Sequence, residues 1–471
     1  MPNSVRIAAG QGFYGDSPRA AITIALQRGA DYIIHDALAE LTLSILQKDR
    51  QKDPSLGYAR DLEFTAYNLI PMCYKNGIKL VTNSGGLNPY GAAKKVSEIL
   101  NKQGIKDLKI AVITGDDVFD RLNDFQANGL TLSNIDTGKP FSEVNFPVTH
   151  ANVYVGAKSI ADALAQGADL ILAGRVADPC LTLGILAHHF NWALDDENLS
   201  QEGLNKLACG ITIGHLLECG GQASGGNSYA EWPMDYPLHN LGYPIATVFA
   251  DGSAVFSKLE IEGGCVTKNT IREQLVYEIH DPSHYITPDV VVDLTHVTVE
   301  EVAKNQVRVS GSLGKPRPEN LKLCIGLHEG FMSDMIAFFS WPCAYEKCQK
   351  FIQAVKDIWA NAGLSGIERA EFQLLGLNGI HGEAAISASP EVLSEMNEIG
   401  VRLVIKHSDT KTGSMAFKSI VCLGLNGPPG LTAIPGWGKE NRTLLSLWPT
   451  LIPRKLVQTT VHCAKASEYL Q

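Results

Sequence analysis

The chain reads as an α/β protein: a doubly wound, mostly parallel, Rossmann-like sheet over residues 1–240, followed by an α+β domain over 241–471. Three observations predict this. Short β-rich runs alternate with amphipathic stretches through the first 190 residues, the pattern of βαβ crossovers. Near residue 240 that alternation gives way to β-rich runs separated by hairpin signals such as Asp251-Gly252. A single hydrophobic core also stops growing at roughly 250–300 residues, so a chain of this length divides.

In order, VRIAA (5–9) is a short strand ending in glycine, and residues 17–29 have helical spacing with Pro18 in the first turn. Residues 30–36 are again strand-like. Residues 37–52 repeat Leu38, Leu41, Ile45 and Leu46 at three- and four-residue intervals, as an amphipathic helix does. A further helix precedes the strand 78–84, a helix follows it, and strands are expected at 108–113 and 168–174. Beyond 240, the runs YPIATVFADGSAVFSK, YITPDVVVDL, HVTVEEVAKNQVRVSGSLG and LKLCIGLHEGF are β-rich. Residues 342–363 form one clear amphipathic helix, 371–382 and 400–409 read as strands, and a short helix is expected at 390–398.

Composition narrows the function classes. Forty Lys and Arg against fifty Asp and Glu give a net charge of −10, with no basic run, which argues against nucleic acid or an anionic membrane surface as partner. No uninterrupted apolar stretch reaches the ~18 residues of a membrane span. The opening MPNSVRIAAGQGFYGD lacks the layout of a signal peptide, so a cytoplasmic protein is expected. Ten cysteines are scattered without a CxxC pair, which fits reduced thiols packed as small apolar side chains.

Ligands of parallel sheets collect beyond the carboxyl ends of the strands. All five expected strand ends carry Gly, Asp, Asn or Arg. The first leads into Gly10-x-Gly12-x-x-Gly15-Asp16, which has dinucleotide-fingerprint spacing, and Asp36 stands 21 residues beyond Gly15. Phe13 and Tyr14 fill that loop and Asp16 would face a phosphate, so NAD is not expected; Asp16 reads better as a helix N-cap. The second strand ends at His35-Asp36, with Glu40 one turn on. The third ends in Asn83-Ser84-Gly85-Gly86-Leu87-Asn88, either an amide nest for an anion or a plain turn. The fourth ends in Asp116-Asp117, a pair of hard oxygen ligands for Mg²⁺ or a solvated cap. After the fifth, Arg175 and Asp178 either pair with each other or offer a guanidinium fork to a carboxylate.

A second stretch, HLLECGGQASGGN (215–227), carries Glu218, then Gly220, Gly221 and Gln222, then Gly225, Gly226 and Asn227. Glycine pairs this dense mark sharp turns or close backbone approach. Glu218 is a candidate general acid or base if burial lifts its pKa. Cys219 reads as packing. HExxH, GxSxG and P-loop signatures are absent, so zinc peptidase, α/β-hydrolase and NTPase chemistries lack their defining residues.

The segments GFYGDSPRAA, DYIIHDALAELTLSILQKDRQKDPSLGYARDL, KLVTNSGGLNPYGAA, AVITGDDVFDRL, GADLILAGRVADPCLTLG and HLLECGGQASGGN together resemble the acyclic terpene utilisation protein AtuA family. So do REQLVYEIHDPSHYITPDVVVDL and the tail GPPGLTAIPGWGKENRTLLSLWPTLIPRKLV. The family's second strand end is typically Gly-Asp, where this chain has His35-Asp36. The resemblance implies catabolism of branched acyl-CoA intermediates from terpenoid alcohols, beside carboxylases, enoyl-CoA hydratases and a small companion protein, without fixing a reaction.

The leading expectation is a lyase of hydratase/dehydratase type acting on a branched carboxylated or CoA-linked acyl substrate. Glu218 or Asp36 supplies acid–base chemistry, and Arg175 with Asp178 completes the catalytic set. Amides at Gly85-Gly86 or Gly220-Gly221 hold an enolate oxygen. The remaining loop positions, Gly12, Gly15, Asp16, Asn83, Asn88, Gln222, Gly225, Gly226 and Asn227, line the substrate. One alternative is C–C lysis of a hydroxyacyl substrate with Mg²⁺ on Asp116, Asp117 or Asp178. Another is a non-catalytic acyl-CoA-binding partner subunit. A homo-oligomer is the default assembly.

Overall fold

The computed structural model describes residues 4–194, 198–433 and 440–471. Residues 1–3 of the opening segment and residues 434–439 of the quoted tail motif lie outside them. The chain is a mixed α/β protein dividing into two compact units: 1–144 with 149–326 and 447–471, and 145–148 with 327–446.

The first unit is built on a ten-stranded mixed sheet. In chain order its strands are β1 (Ser4–Gln11), β2 (Tyr32–His35), β3 (Lys79–Thr82), β4 (Lys109–Thr114), then, past β5 (Val148–Val153), β6 (Leu170–Ala173), β7 (Ile245–Phe249) and β8 (Ala254–Ser257). The strands β9 (Tyr285–Ile286), β10 (Val291–Asp293), β11 (Thr298–Ala303), β12 (Gln306–Ser310) and β13 (Leu313–Lys315) follow, and β14 (Asn320–Ser340) begins in the first unit and continues in the second. The second unit holds β15 (Ile367–Leu375), β16 (Glu398–His407) and β17 (Thr432–Ala433); β18 (Arg442–Pro453) returns the chain to the first, which ends with β19 (Thr460–Lys465). The large sheet runs β11-β12-β8-β7-β1-β2-β3-β6-β4-β19.

Its five central strands, β1, β2, β3, β6 and β4, are parallel. They are the five expected from the sequence, and their near-continuous apolar runs reflect burial on both faces: Ile7, Ile33, Ile34, Val81, Ile110 and Leu172 are all closed to solvent. The order differs from the doubly wound one. A Rossmann sheet reverses direction at its first strand, whereas here the parallel strands grow from β1 to one side only. The other side of β1 is taken by β7, antiparallel from Ser4↔Phe249 to Ala8↔Ile245. β8, β12 and β11 extend that antiparallel wing, and β19 closes the opposite edge antiparallel to β4.

The expected division at residue 240 therefore does not match the compact units. The β-rich runs 244–257 and 298–310 hydrogen-bond into the first sheet, and from residue 149 the chain stays in that unit until 326. The second unit packs helix Ala344–Asn361 and helix Thr410–Ile420 on the antiparallel β14-β16-β15 sheet, with Phe339, Phe351, Trp359, Val401 and Leu403 in its core.

Two helices of the first unit position the polar strand ends. Helix Cys180–Phe190 starts directly after the β6 loop, and its first eight residues are buried. Helix Gln201–Glu218, capped by Ser200 on the Gly203 amide, carries Glu218 at its last turn. The two meet where Gly214 faces the backbone of Pro179; a methyl group on Gly214 would stand 2.4 Å from the Pro179 carbonyl oxygen. Gly214→Ala is expected to cost ~1–3 kcal/mol of stability through overpacking, read as a lower urea midpoint at unchanged slope.

Candidate functional site

The polar loops after β2, β3 and β6 and the end of helix Gln201–Glu218 converge. Asp36, Asp178 and Glu218 each place one carboxylate oxygen within 4.8 Å of the other two. Residues 142 and 182 positions apart along the chain thus share one cluster, with Arg175 and Asn83 attached to it.

Arg175 organises the cluster. Its guanidinium is 2 % exposed, donates from Nη1 to Asp178 Oδ1 at 2.7 Å and to the Leu38 carbonyl at 2.5 Å, and reaches Asp178 Oδ2 from Nη2 at 3.3 Å. It lies 4.2 Å over the ring of Tyr154. Burial opposes its charge, but Asp178, Tyr154 and Asp36 hold the proton firmly on. Nη1 and Nη2 are thus spent on the protein itself, which gives Arg175 the role of holding Asp178, while Nε is buried without a hydrogen-bond partner among the described residues. The Tyr154 hydroxyl donates to Glu40, and Lys322 sits 3.2 Å from the same carboxylate. Burial pushes Glu40 up, yet Tyr154, Arg175 and Lys322 together hold it down at about 2.

The three carboxylates differ in environment. Asp36 accepts from Asn83 Nδ2 at 2.5 Å, and the Asn83 side-chain Oδ1 takes the Ala37 amide at 2.7 Å, which fixes the β2 turn. Burial first, then the Asp178 charge, raises Asp36 well above the usual carboxylate range. Glu218 accepts from His215 Nδ1 at 2.8 Å through its Oε1, while its Oε2 is buried without a partner among the described residues. Burial lifts Glu218 to about 7 against the opposing pull of His215. His215 is itself pushed down by burial, but Glu218, with Gln274 and Glu278, raises it above its usual value. Asp178, with a side chain 32 % exposed, is the open member of the group.

The remaining sequence candidates divide. Gly12 and Gly220 back onto each other, since a methyl on Gly12 would lie 2.5 Å from the Gly220 nitrogen, so the first glycine loop packs on the second. Asp16 ties them down: it accepts from the Gly12 and Ser17 amides and from the Tyr243 hydroxyl. It does not cap helix Arg19–Leu26, whose N-cap position is Pro18. Gly15, at φ +89°, donates its amide to Asp61. The Gly86 amide is spent on the Asn83 carbonyl, and Gly85 lies against the Ala173 carbonyl. At Gly221 the carbonyl is the group in use, taken by the Ser224 and Gly226 amides. Gln222 bonds Gln274 and Asn227 bonds Gln222, while Gly225 gives room to the Tyr236 hydroxyl and Gly226 to Leu241.

Asn88 caps helix Pro89–Lys102 through the Gly91 amide and holds the carbonyls of residues 54–56. With Gly86, Asp116, Asp117, Arg50 and Arg121 it lines a separate cavity of about 470 Å³. Asp116 is buried, raised to about 6 by that burial, and its Oδ2 takes the Arg175 amide and Asn152, each at 2.8 Å. Asp117 faces Arg50 at 3.6 Å and accepts the Phe119 amide. Neither belongs to the three-carboxylate cluster, and the only group of three potential metal ligands among the described residues is Asp36, Asp178 and Glu218.

Sequence reasoning missed several partners. His215 stands three residues before Glu218 on one helix face, a spacing that signals contact. Tyr285 lies with its ring 5.6 Å from His215, its hydroxyl pushed up by burial and by the Glu218 and Asp178 charges. Cys180 donates to Asp289 at 3.2 Å beside the same acids. Tyr154, Tyr285 and Asp289 carry no local signal; only the fold brings them in.

A sequence profile described as acyclic terpene utilisation family protein AtuA matches residues 5–463. No curated protein and no solved structure matches the chain.

The cluster makes stability pH-dependent. Glu218 has its ordinary value of 4.5 when unfolded and about 7 in place. Between those values the folded chain binds more protons, so this group's contribution falls as pH rises through the window. Urea unfolding of Glu218→Gln at pH 5 and pH 8 is expected to show a smaller loss of stability with rising pH than the parent chain.

Proposed function

The chain belongs to the acyclic terpene utilisation AtuA family, and we propose that within terpene catabolism it acts as a lyase of hydratase/dehydratase type on a branched carboxylated or CoA-linked acyl substrate. One observation carries this reading: a buried carboxyl, Glu218, poised near neutrality, shares a cluster with a second, Asp36, which burial and the Asp178 charge raise well above the usual carboxylate range. Two neighbouring carboxyls raised by burial can share the work of base and acid.

Adding water across a double bond conjugated to a carbonyl needs a base for the water proton, donors for the enolate oxygen, and an acid for the α carbon. Glu218 Oε2, without a protein partner, takes the proton as the water oxygen bonds to the β carbon, and His215 steadies the carboxylate through Oε1. The Gly220-Gly221 amides receive the developing oxyanion. Asp36 then delivers its proton to the α carbon, and the two acids exchange the proton to reset the site. Arg175 is a positioning residue here, holding Asp178 and the β2 loop. In the reverse direction the same groups eliminate water.

The metal-assisted C–C lyase reading moves from Asp116 and Asp117 to the three-carboxylate cluster. There each acid already has a donor: Asn83 for Asp36, Arg175 for Asp178 and His215 for Glu218. That satisfaction favours acid–base chemistry over a cation. The non-catalytic acyl-CoA-binding reading gives no reason for two buried carboxyls raised above their usual range side by side.

Turnover of branched 2-enoyl-CoA thioesters distinguishes these readings. Glu218→Gln is expected to lose roughly 10²–10⁴-fold in hydration rate, and EDTA to leave the parent rate unchanged. An unaltered rate in Glu218→Gln removes this residue from the mechanism.

A further inference from the structure

The antiparallel sheet of the second unit ends on β15, which pairs with β16 on one side and with no strand on the other among the described residues. The ladder shows which of its residues face the open side. The Trp341 amide donates to the Asn397 carbonyl, so the alternate residues Ile399, Val401, Leu403 and Ile405 turn their main-chain groups toward β14. Opposite the last three, on β15, stand Leu374, Phe372 and Ala370, which therefore turn theirs outward. Leu374 behaves accordingly: its amide donates to Asn378 Oδ1 at 2.7 Å, and its carbonyl takes the amides of Leu377, Asn378 and Gly379. That loop closes the edge at Leu374 and leaves the stretch Ile367–Gln373 open, with the exposed Ala370 at its centre. We infer that this edge pairs with the same edge of a second copy of the chain, antiparallel about a two-fold axis at Ala370.

Charge selects that register. Arg369 and Glu371 lie opposite Lys406 and Val404, on the sheet face turned away from the core residues Val401 and Leu403. Their side chains are 75 % and 41 % exposed and pair with each other along the strand. With the axis at Ala370, Arg369 of each copy stands directly across from Glu371 of the other, forming two ion pairs. Moving the axis to position 369 sets the two Arg369 side chains against each other, and moving it to 371 does the same to the two Glu371 side chains. Like charges directly opposite are destabilising. An axis at Phe372 would bring Ala370 against Leu374, whose main-chain groups are already taken. One alignment alone matches both the open main-chain groups and the charges.

The same features explain why the occupant is a copy of this chain rather than a foreign strand. Charged side chains and bulges at an edge ordinarily deter strand addition, and β15 carries both, with its register shifted between Ile367 and Arg369. A foreign apolar strand would desolvate Arg369 and Glu371 without answering them. A second copy answers each with the other, which is the self-complementarity a two-fold interface requires. On the core side of the strand, Ala370 meets Ala370, and so small a side chain leaves room for the backbones to close. Phe372 is held in place beside it, its ring 6.3 Å from that of Trp359 and under the Lys356 ammonium at 5.3 Å.

This pairing is independent of the lyase reading and is tested without turnover. Sedimentation velocity of the whole protein over a concentration series is expected to show a monomer–dimer equilibrium. Arg369→Glu and Glu371→Arg each replace both ion pairs with like charges and should weaken the dimer roughly tenfold or more. The double variant Arg369→Glu/Glu371→Arg restores opposite charges and should regain the parent dissociation constant. Ala370→Pro removes the outward amide without touching a bond to β16. It should keep the far-UV circular dichroism of the parent and sediment as a monomer. A parent chain that stays monomeric at every concentration overturns the inference. So does an assembly that persists in folded Ala370→Pro, or a folded double variant that fails to regain the parent's dimer.

Discussion

One guanidinium holds the polar strand ends together. Arg175 places its amide on Asp116 at the end of β4, its Nη1 on the Leu38 carbonyl beyond β2, and its fork on Asp178 in its own loop. The guanidinium, stacked on Tyr154, thus ties two of these loops together, and the Arg175 main chain holds the third through Asp116. Taking one partner from a buried pair of this kind typically costs ~3–5 kcal/mol, because the other charge stays behind unpaired. The positions of Asp36 and Asp178 follow from this anchor, and Glu218 is brought to them by the contact of Gly214 with Pro179.

The same burial that demands the anchor also generates chemistry. Asp178, half open to solvent, is matched by Arg175, whereas Asp36 and Glu218 are enclosed and matched mainly by neutral or titrating partners, Asn83 and His215. The cation is therefore matched to one acid, and the other two lie where burial raises their pKa values. A cluster built only for stability would have no use for that asymmetry, since apolar side chains of equal volume would pack there at lower cost.

Much of this was legible in residue order. The runs VRIAA, DYIIHD, IKLVTNS, LKIAVITG and ADLILAG are too apolar and too short to be anything but buried strands, and their polar endings pointed to the cluster. Asp36, Asn83, Arg175, Asp178 and Glu218 do meet there. The sheet order was not legible, because β7 pairs with β1 across more than 230 residues and nothing local in YPIATVF marks its partner. For the same reason the boundary at 240 followed a change of pattern rather than a change of core. Glycines were read correctly as places of close approach, but at Gly12, Gly85 and Gly225 what approaches is the protein's own chain.

The last strand has a consequence for how the chain comes into being. β19 covers β4 through Thr460↔Thr114 to Lys465↔Lys109, and the Thr114–Thr460 hydroxyl pair spans 346 residues. Until that closing segment leaves the ribosome, the apolar stretch Ile110–Ile113 presents a bare hydrogen-bonding margin to every neighbour it meets. The nascent chain must then be shielded for most of its synthesis, and a protein clipped shortly before Thr460 would be prone to stick to its own copies through that margin.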